Sequence, residues 1–318
     1  MRAASGLLAL ALAVAPGHAP AAPRPAWNTG VQRARIAVPE AAGAPARMVV
    51  QWFLPAGPGP FPVVVFSHGR DPSAAGRARI GLGIGRAQVQ FWRARGVAVV
   101  VPLRPGYGES GGADREDPGV HFDDAGHCVG QAAFAQAADA AAQAVDATLA
   151  WLRTQPWAEA DDVLLVGQSV GGLATVAAAA HAPPGVVGYV NFAGGAGGNA
   201  DRSPGASCDS AQLEALYADY GRATTVPSLW VYAVDDRFWG AEAPRQWHAA
   251  FARGGSPTRF VQATALADGN GHELSAHAPA LWAATVDGFL AGLGPPWNAA
   301  TAPRPVLRLD ADGGGPSP

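Results

Sequence analysis

An α/β fold, with a mostly parallel central sheet and helices on both faces, is what the sequence predicts, on three observations. Short apolar runs of strand length alternate with longer segments of helical period along most of the chain, as strand–helix–strand units do. One such run, Val163-Leu164-Leu165-Val166, breaks at Gly167-Gln168-Ser169-Val170-Gly171 and resumes at once as an alanine-rich helix. Finally, Ser169, the acids Asp235 and Asp236, and His272 each fall just after an expected strand. Functional residues gather beyond the carboxyl ends of the strands in a sheet of this kind.

Composition bounds the function classes. The 318 residues suffice for one domain with a sizeable core, and a second full domain would be a squeeze. All 22 Lys and Arg positions are arginine, a matter of coding composition; the formal net charge of −3 and a pI near 6.2 give no basic footprint for nucleic acid. Met1-Arg2, an apolar run over 6–15 and small residues from Ala19 to Ala22 have the pattern of a secretory signal peptide over 1–22. That run is too short to span a bilayer, and no other segment is long and apolar enough to anchor the chain in one. A periplasmic or secreted location is therefore expected. Export makes Cys128 and Cys208 candidates for a single disulfide, with two separate buried thiols as the alternative.

Taken in order, 23–30 reads as lead-in, and 33–38 and 47–54 as strands joined by a turn-rich hairpin connection. The run Phe61-Pro62-Val63-Val64-Val65-Phe66 is a strand closing on Ser67-His68-Gly69-Arg70. An amphipathic helix over 84–95 ends at Gly96. Residues 97–101 form the next buried strand, and 114–130 a polar loop. A long helix over 134–155 carries Val145, Leu149 and Leu152 on one face. After the Ser169 turn and its helix, a strand is expected over 185–192 and a glycine- and serine-rich loop over 194–210. A helix over 211–220, a strand from 228 ending in acids, a helix over 244–253, a strand over 258–264 and a helix over 278–293 complete the domain. The domain thus runs over 23–293, with 294–318 a disordered tail rich in Pro, Gly and Ala. The segment from Phe192 to Ser228 is too short for a large lid, so the site should be open, with a small lid or none.

The chemistry is read from context, because a bare G-x-S-x-G is weak evidence. A second match, Gly108-Glu109-Ser110-Gly111-Gly112, is followed by the loop-like Ala113-Asp114-Arg115-Glu116-Asp117-Pro118-Gly119, whereas Ser169 sits between strand and helix. Ser169 is therefore the expected nucleophile. It needs a base, and His272, flanked by Gly271 and Glu273 in a loop, can reach it. The acid that orients the imidazole is Asp235 or Asp236 by position, with Asp236 preferred. The backbone amides of Arg70 and Val170 are the expected oxyanion donors, the second helped by the helix N-terminus. His68 reads as a brace for its loop rather than as the base. Gly81-Leu82-Gly83-Ile84-Gly85 does not follow a strand directly and spaces its glycines wrongly for a dinucleotide site. His121, Asp123, Asp124, His127 and Cys128 match no zinc spacing. No metal and no cofactor are expected.

These segments carry a resemblance. Phe66-Ser67-His68-Gly69, the stretch from Arg104 to Gly112, Gly167-Gln168-Ser169-Val170-Gly171-Gly172, the stretch from Trp230 to Trp239, and Asp268-Gly269-Asn270-Gly271-His272 resemble the α/β-hydrolase superfamily. Within it they are similar to the exported, dienelactone-hydrolase-like branch with a serine nucleophile. The resemblance implies Ser169 as nucleophile, Asp236 as acid, His272 as base, and a Cys128–Cys208 pair. Dienelactone hydrolases proper carry a cysteine nucleophile, so serine here favours ordinary esters. The expected activity is that of a serine carboxylic-ester hydrolase acting on a small-molecule ester, with Tyr107, Phe238 and Trp239 considered as pocket walls and packing in the core as the equal alternative for each. A serine peptidase of the prolyl-oligopeptidase or aminopeptidase type is the runner-up, and a non-catalytic hydrolase-fold binding protein the third reading.

Overall fold

Apolar runs become strands here because helices cover both of their faces. The structure, a computed structural model, describes residues 30–39 and 45–300. The expected leader over 1–22 and the end of the tail, 301–318, lie outside the described residues. The chain opens with strands β1 (Gln32–Val38), β2 (Ala46–Phe53) and β3 (Phe61–Ser67), then helices α1 (Ala74–Arg79) and α2 (Arg86–Arg93) and strand β4 (Ala98–Leu103). A small hairpin, β5 (Val120–Phe122) and β6 (Cys128–Gly130), precedes helix α3 (Phe134–Leu152), strand β7 (Ala158–Gln168) and helix α4 (Val170–Ala180). Strand β8 (Val186–Phe192), a second small hairpin of β9 (Gly198–Asn199) and β10 (Ser203–Ser207), and helix α5 (Ser210–Ala223) follow. Strand β11 (Ser228–Ala233), helix α6 (Ala243–Ala252), strand β12 (Thr258–Ala263) and helices α7 (Leu274–His277) and α8 (Pro279–Ala291) complete the order.

Among the described residues, eight strands make one sheet in the order β1-β2-β4-β3-β7-β8-β11-β12. The pairs β1–β2 and β2–β4 are antiparallel, and from β4 to β12 every pair is parallel. Alternate side chains divide the core between the two faces. Val63, Val65 and Leu165 join Trp230, Trp247 and Tyr217 on one face. Val64, Phe66, Leu164 and Val166 join Trp92, Trp282 and Leu290 on the other. Helix α4 is buried from Val170 through Ala179, which is why it is built of alanine and glycine: larger side chains would hold it off the sheet.

Three expectations change. The loops over 114–130 and 194–210 each contain a short hairpin; strands of two or three residues are shorter than the roughly four to eight over which alternation marks a strand, even where Val120, His121 and Phe122 alternate buried, exposed and buried. Short α1 was not expected; its cap is Ser73, whose Oγ accepts the Gly76 amide at 3.0 Å. The fold also runs past 293, because Trp297 is fully buried with its ring 6.5 Å from that of Trp92. The ordered chain therefore reaches at least Ala300, and a Pro- and Gly-rich composition concealed one anchoring tryptophan.

Candidate active site

Ser169 stands at the apex of the turn from β7 to α4, with φ 59° and ψ −128°. A non-glycine residue held there costs about 1–3 kcal/mol, so the surroundings must enforce the turn. They do so by close approach. A Cβ at Gly167 would lie 2.0 Å from the Gly171 carbonyl oxygen, and one at Gly171 would lie 2.0 Å from the oxygen of Ser67. Backbone cannot yield as a flexible side chain can. Gly171→Ala is expected to lower the free energy of unfolding by about 3 kcal/mol, the upper end of overpacking costs. Denaturant unfolding checks this, and a variant as stable as the parent would contradict the packing.

Helix α4 starts at Val170, and the amides of Gly172 and Leu173 donate to the Ser169 carbonyl at 2.8 and 3.2 Å. The Val170 N–H belongs to the first turn, which has no intrahelical acceptor, and it carries the positive end of the helix dipole. The loop after β3 lies alongside: a Cβ at Gly69 would sit 3.3 Å from that of Ser169. Arg70 and Val170, the expected oxyanion donors, line one cleft together with Ser169.

The acid and the histidine meet as a pair. His272 Nδ1 lies 3.1 Å from both Asp236 carboxylate oxygens, with His272 3 % and Asp236 2 % exposed. Asp236 Oδ1 also accepts the amides of Phe238 at 2.8 Å and Trp239 at 3.1 Å. With Nδ1–H donating to the carboxylate, Nε2 is left as the acceptor of the ring. Asp235 faces elsewhere: its Oδ2 accepts the Leu266 amide and its carbonyl the Gly271 amide. It anchors the loop that carries His272. Gly271 is required there, since a Cβ would lie 2.4 Å from Asp235 Oδ1. The imidazole packs 4.2 Å from the Phe238 ring and 5.4 Å from that of Trp239, measured between centroids.

The cleft has a volume of about 1000 Å³ and includes Ser169, His272, Phe238, Trp239, Phe122 and Ala196 in its lining. Tyr107 does not belong to it. That residue is fully buried, and its hydroxyl donates to Glu116 at 2.7 Å. Ser110, the competing serine, is structural: its Oγ accepts the Val49 amide and donates to the Leu103 carbonyl. His68 braces its loop, accepting the Arg104 amide on Nε2 at 3.3 Å and contacting the Gly69 carbonyl with Nδ1 at 2.7 Å. Burial, and then the charge of Arg104, hold its pKa well below the usual histidine range, so it stays neutral.

Two contributors escaped the sequence reading. Gln168 donates from Nε2 to the His272 carbonyl at 3.1 Å, tying the serine turn to the histidine loop. Arg104 and Glu116 form a buried ion pair beneath the loop of His68. Gln168 and Arg104 lie in motifs the sequence shows, and Glu116 lies in none.

Cys128 and Cys208 are disulfide-bonded with Cα atoms 5.3 Å apart at a sequence separation of 80. The bond joins β6 to the start of α5, and so links the hairpin bearing Phe122 to the segment that follows Ala196. Cys128→Ser with Cys208→Ser is expected to destabilise the fold by about 2–4 kcal/mol. Dithiothreitol should lower the Tm of the parent and not of the variant; a reductant-insensitive parent would contradict the tether.

No family model and no curated protein matches the sequence. Solved structures do match. The Pyrococcus furiosus esterase Pf2001 aligns with TM-score 0.56 and 13 % identity over 83 % of this chain and 91 % of its own. An acylaminoacyl peptidase in complex with Z-Gly-Gly-Phe-chloromethyl ketone aligns with TM-score 0.55 and 13 % identity, over 82 % of this chain and 41 % of its own. A Mycobacterium tuberculosis puromycin-hydrolyzing peptidase aligns with TM-score 0.55 and 17 % identity, over 87 % and 42 %. The chain thus spans about two-fifths of the length of these two peptidases. At such identities the likeness is one of fold, and the fold is that of the α/β-hydrolases.

Proposed function

We propose that the protein is a serine hydrolase that cleaves carboxylic esters through an acyl-enzyme intermediate. The observation that carries this reading is that His272, paired with Asp236 at 3.1 Å, lines one cleft with a serine at the apex of a strained strand-to-helix turn. In the proposed cycle Ser169 Oγ attacks the ester carbonyl carbon while its proton passes to His272 Nε2. The amides of Arg70 and Val170 hold the oxyanion. Collapse of the tetrahedral intermediate breaks the bond to the alcohol oxygen, which leaves with the proton from His272. Water, deprotonated by the same imidazole, then attacks the acyl-serine; the bond to Ser169 Oγ breaks, the imidazolium returns the proton to Oγ, and the acid is released. Asp236 stays ionised, orients the ring and stabilises its charged form.

No step in this cycle calls for a cofactor. A disulfide suits an oxidising compartment, which supports export, and among the described residues no helix is long and apolar enough to cross a membrane. Short p-nitrophenyl esters and matched peptide p-nitroanilides, assayed side by side, test the reaction class. Higher kcat/KM on the esters, with a burst of p-nitrophenol matching the enzyme concentration, is expected. Turnover of the anilides alone would replace the ester reading with the peptidase one.

A further inference from the structure

Beneath the Gly69–Arg70 peptide lies a charge pair that none of the steps above uses. Arg104 is fully buried and Glu116 2 % exposed. Taking two ions out of water costs several kcal/mol each, and only good geometry with further hydrogen bonds offsets that cost. Here the geometry is of that kind. Arg104 Nε and Nη2 reach the two Glu116 oxygens at 2.5 and 2.9 Å, and the Tyr107 hydroxyl donates to Oε2. What remains of the guanidinium points at the loop after β3. Nη1 donates to the His68 carbonyl at 2.7 Å, and Nη2 stands 3.5 Å from that of Gly69. The Arg104 amide holds His68 Nε2, which leaves Nδ1–H to donate to the same Gly69 carbonyl at 2.7 Å.

The consequence follows from peptide geometry. The Gly69 carbonyl and the Arg70 N–H belong to one planar trans unit and point in opposite directions. Drawing the carbonyl inward onto Arg104 and His68 turns the N–H outward, toward the cleft that Gly69, Arg70 and Ser169 line. We infer that Arg104, braced by Glu116 and acting through His68, is a positioning residue that aims the Arg70 amide at the oxyanion. This rests on the proposed acyl-transfer reading, and it gives the buried pair a role in turnover rather than in stability alone.

The test compares a p-nitrophenyl ester with its thiono analogue, whose sulfur is a weak acceptor for N–H donors. In Arg104→Met with Glu116→Gln both charges are removed, so no bare ion stays buried. Losing one oxyanion donor costs about 10²–10³ in kcat. The double variant should therefore lose about 10²-fold in kcat on the oxo-ester and little on the thiono-ester, with KM unchanged and a cooperative melt. An equal fall on both esters, or no fall on either, overturns the assignment. Arg104→Lys keeps a cation beside Glu116 but lacks the planar fork that reaches two carbonyls at once. It should shift the oxo/thiono preference in the same direction, and it carries the test if the double variant does not fold. Ser169→Ala, run alongside, separates the two claims. If it keeps full turnover, the acyl-transfer reading fails and the positioning role with it. If it is inactive while the Arg104 variants keep kcat and preference, only the positioning role fails.

Discussion

Ser169→Ala should lower kcat by about 10⁶, because triad members act as a unit and loss of the nucleophile leaves only binding and oxyanion stabilisation. Its stability should stay close to that of the parent: the side chain loses one oxygen while the φ 59° turn, imposed by Gly167 and Gly171, persists. The second G-x-S-x-G serine gives the contrast. Ser110→Ala removes hydrogen bonds that join the Val49 amide to the Leu103 carbonyl, so it should cost about 1–3 kcal/mol of stability and leave kcat within a few-fold. Steady-state kinetics and thermal melts of the two variants check both statements. A Ser110→Ala enzyme that is stable and inactive would reverse the assignment of the nucleophile.

Asp236→Asn should lower kcat by about 10⁴ without unfolding the protein, as happens when a triad acid is made an amide. The local hydrogen bonds say why. The amides of Phe238 and Trp239 both donate to Asp236 Oδ1, so an asparagine would keep its oxygen there and turn its NH₂ toward His272 Nδ1. The imidazole would then accept at Nδ1 and carry its proton on Nε2, the nitrogen that takes the serine proton in the proposed cycle. Asp235→Asn keeps an acceptor for the Leu266 amide and should change kcat by less than about tenfold, since that side chain fixes the loop and not the ring. The kcat values of the two variants decide between the neighbouring acids, and equal losses would contradict the pairing of Asp236 with His272.

Much of this was readable in the chain because the elements involved are extreme. Val163 to Val166 and Val97 to Val101 are buried on both faces, so their apolar runs admit few alternatives to a central strand. The turn at Ser169 needs glycines on both sides, and they are there. By contrast, β6, β9 and β10 are held by two-strand pairing and by the Cys128–Cys208 bond rather than by a hydrophobic face, and β5, which buries Val120 and Phe122 on either side of exposed His121, is only three residues long, too short for its alternation to mark a strand. The choice between Asp235 and Asp236 depends on which way one side chain turns at a strand end, a matter of two backbone amides. For Tyr107 the sequence leaves pocket wall and core packing both open, because an aromatic in a loop suits either; the buried carboxylate of Glu116 explains why it points inward. Arg104 and Glu116 are 12 residues apart, and nothing in their spacing signals that both lie beneath the loop after β3.

The most direct measurement is fluorophosphonate labelling of the purified protein with peptide mapping, beside Ser169→Ala. It needs no knowledge of the substrate, because only a serine activated by its own base reacts readily. Stoichiometric label is expected on the peptide containing Ser169, and none in the variant. Label on the peptide containing Ser110, or a folded protein that takes up no label, would contradict it.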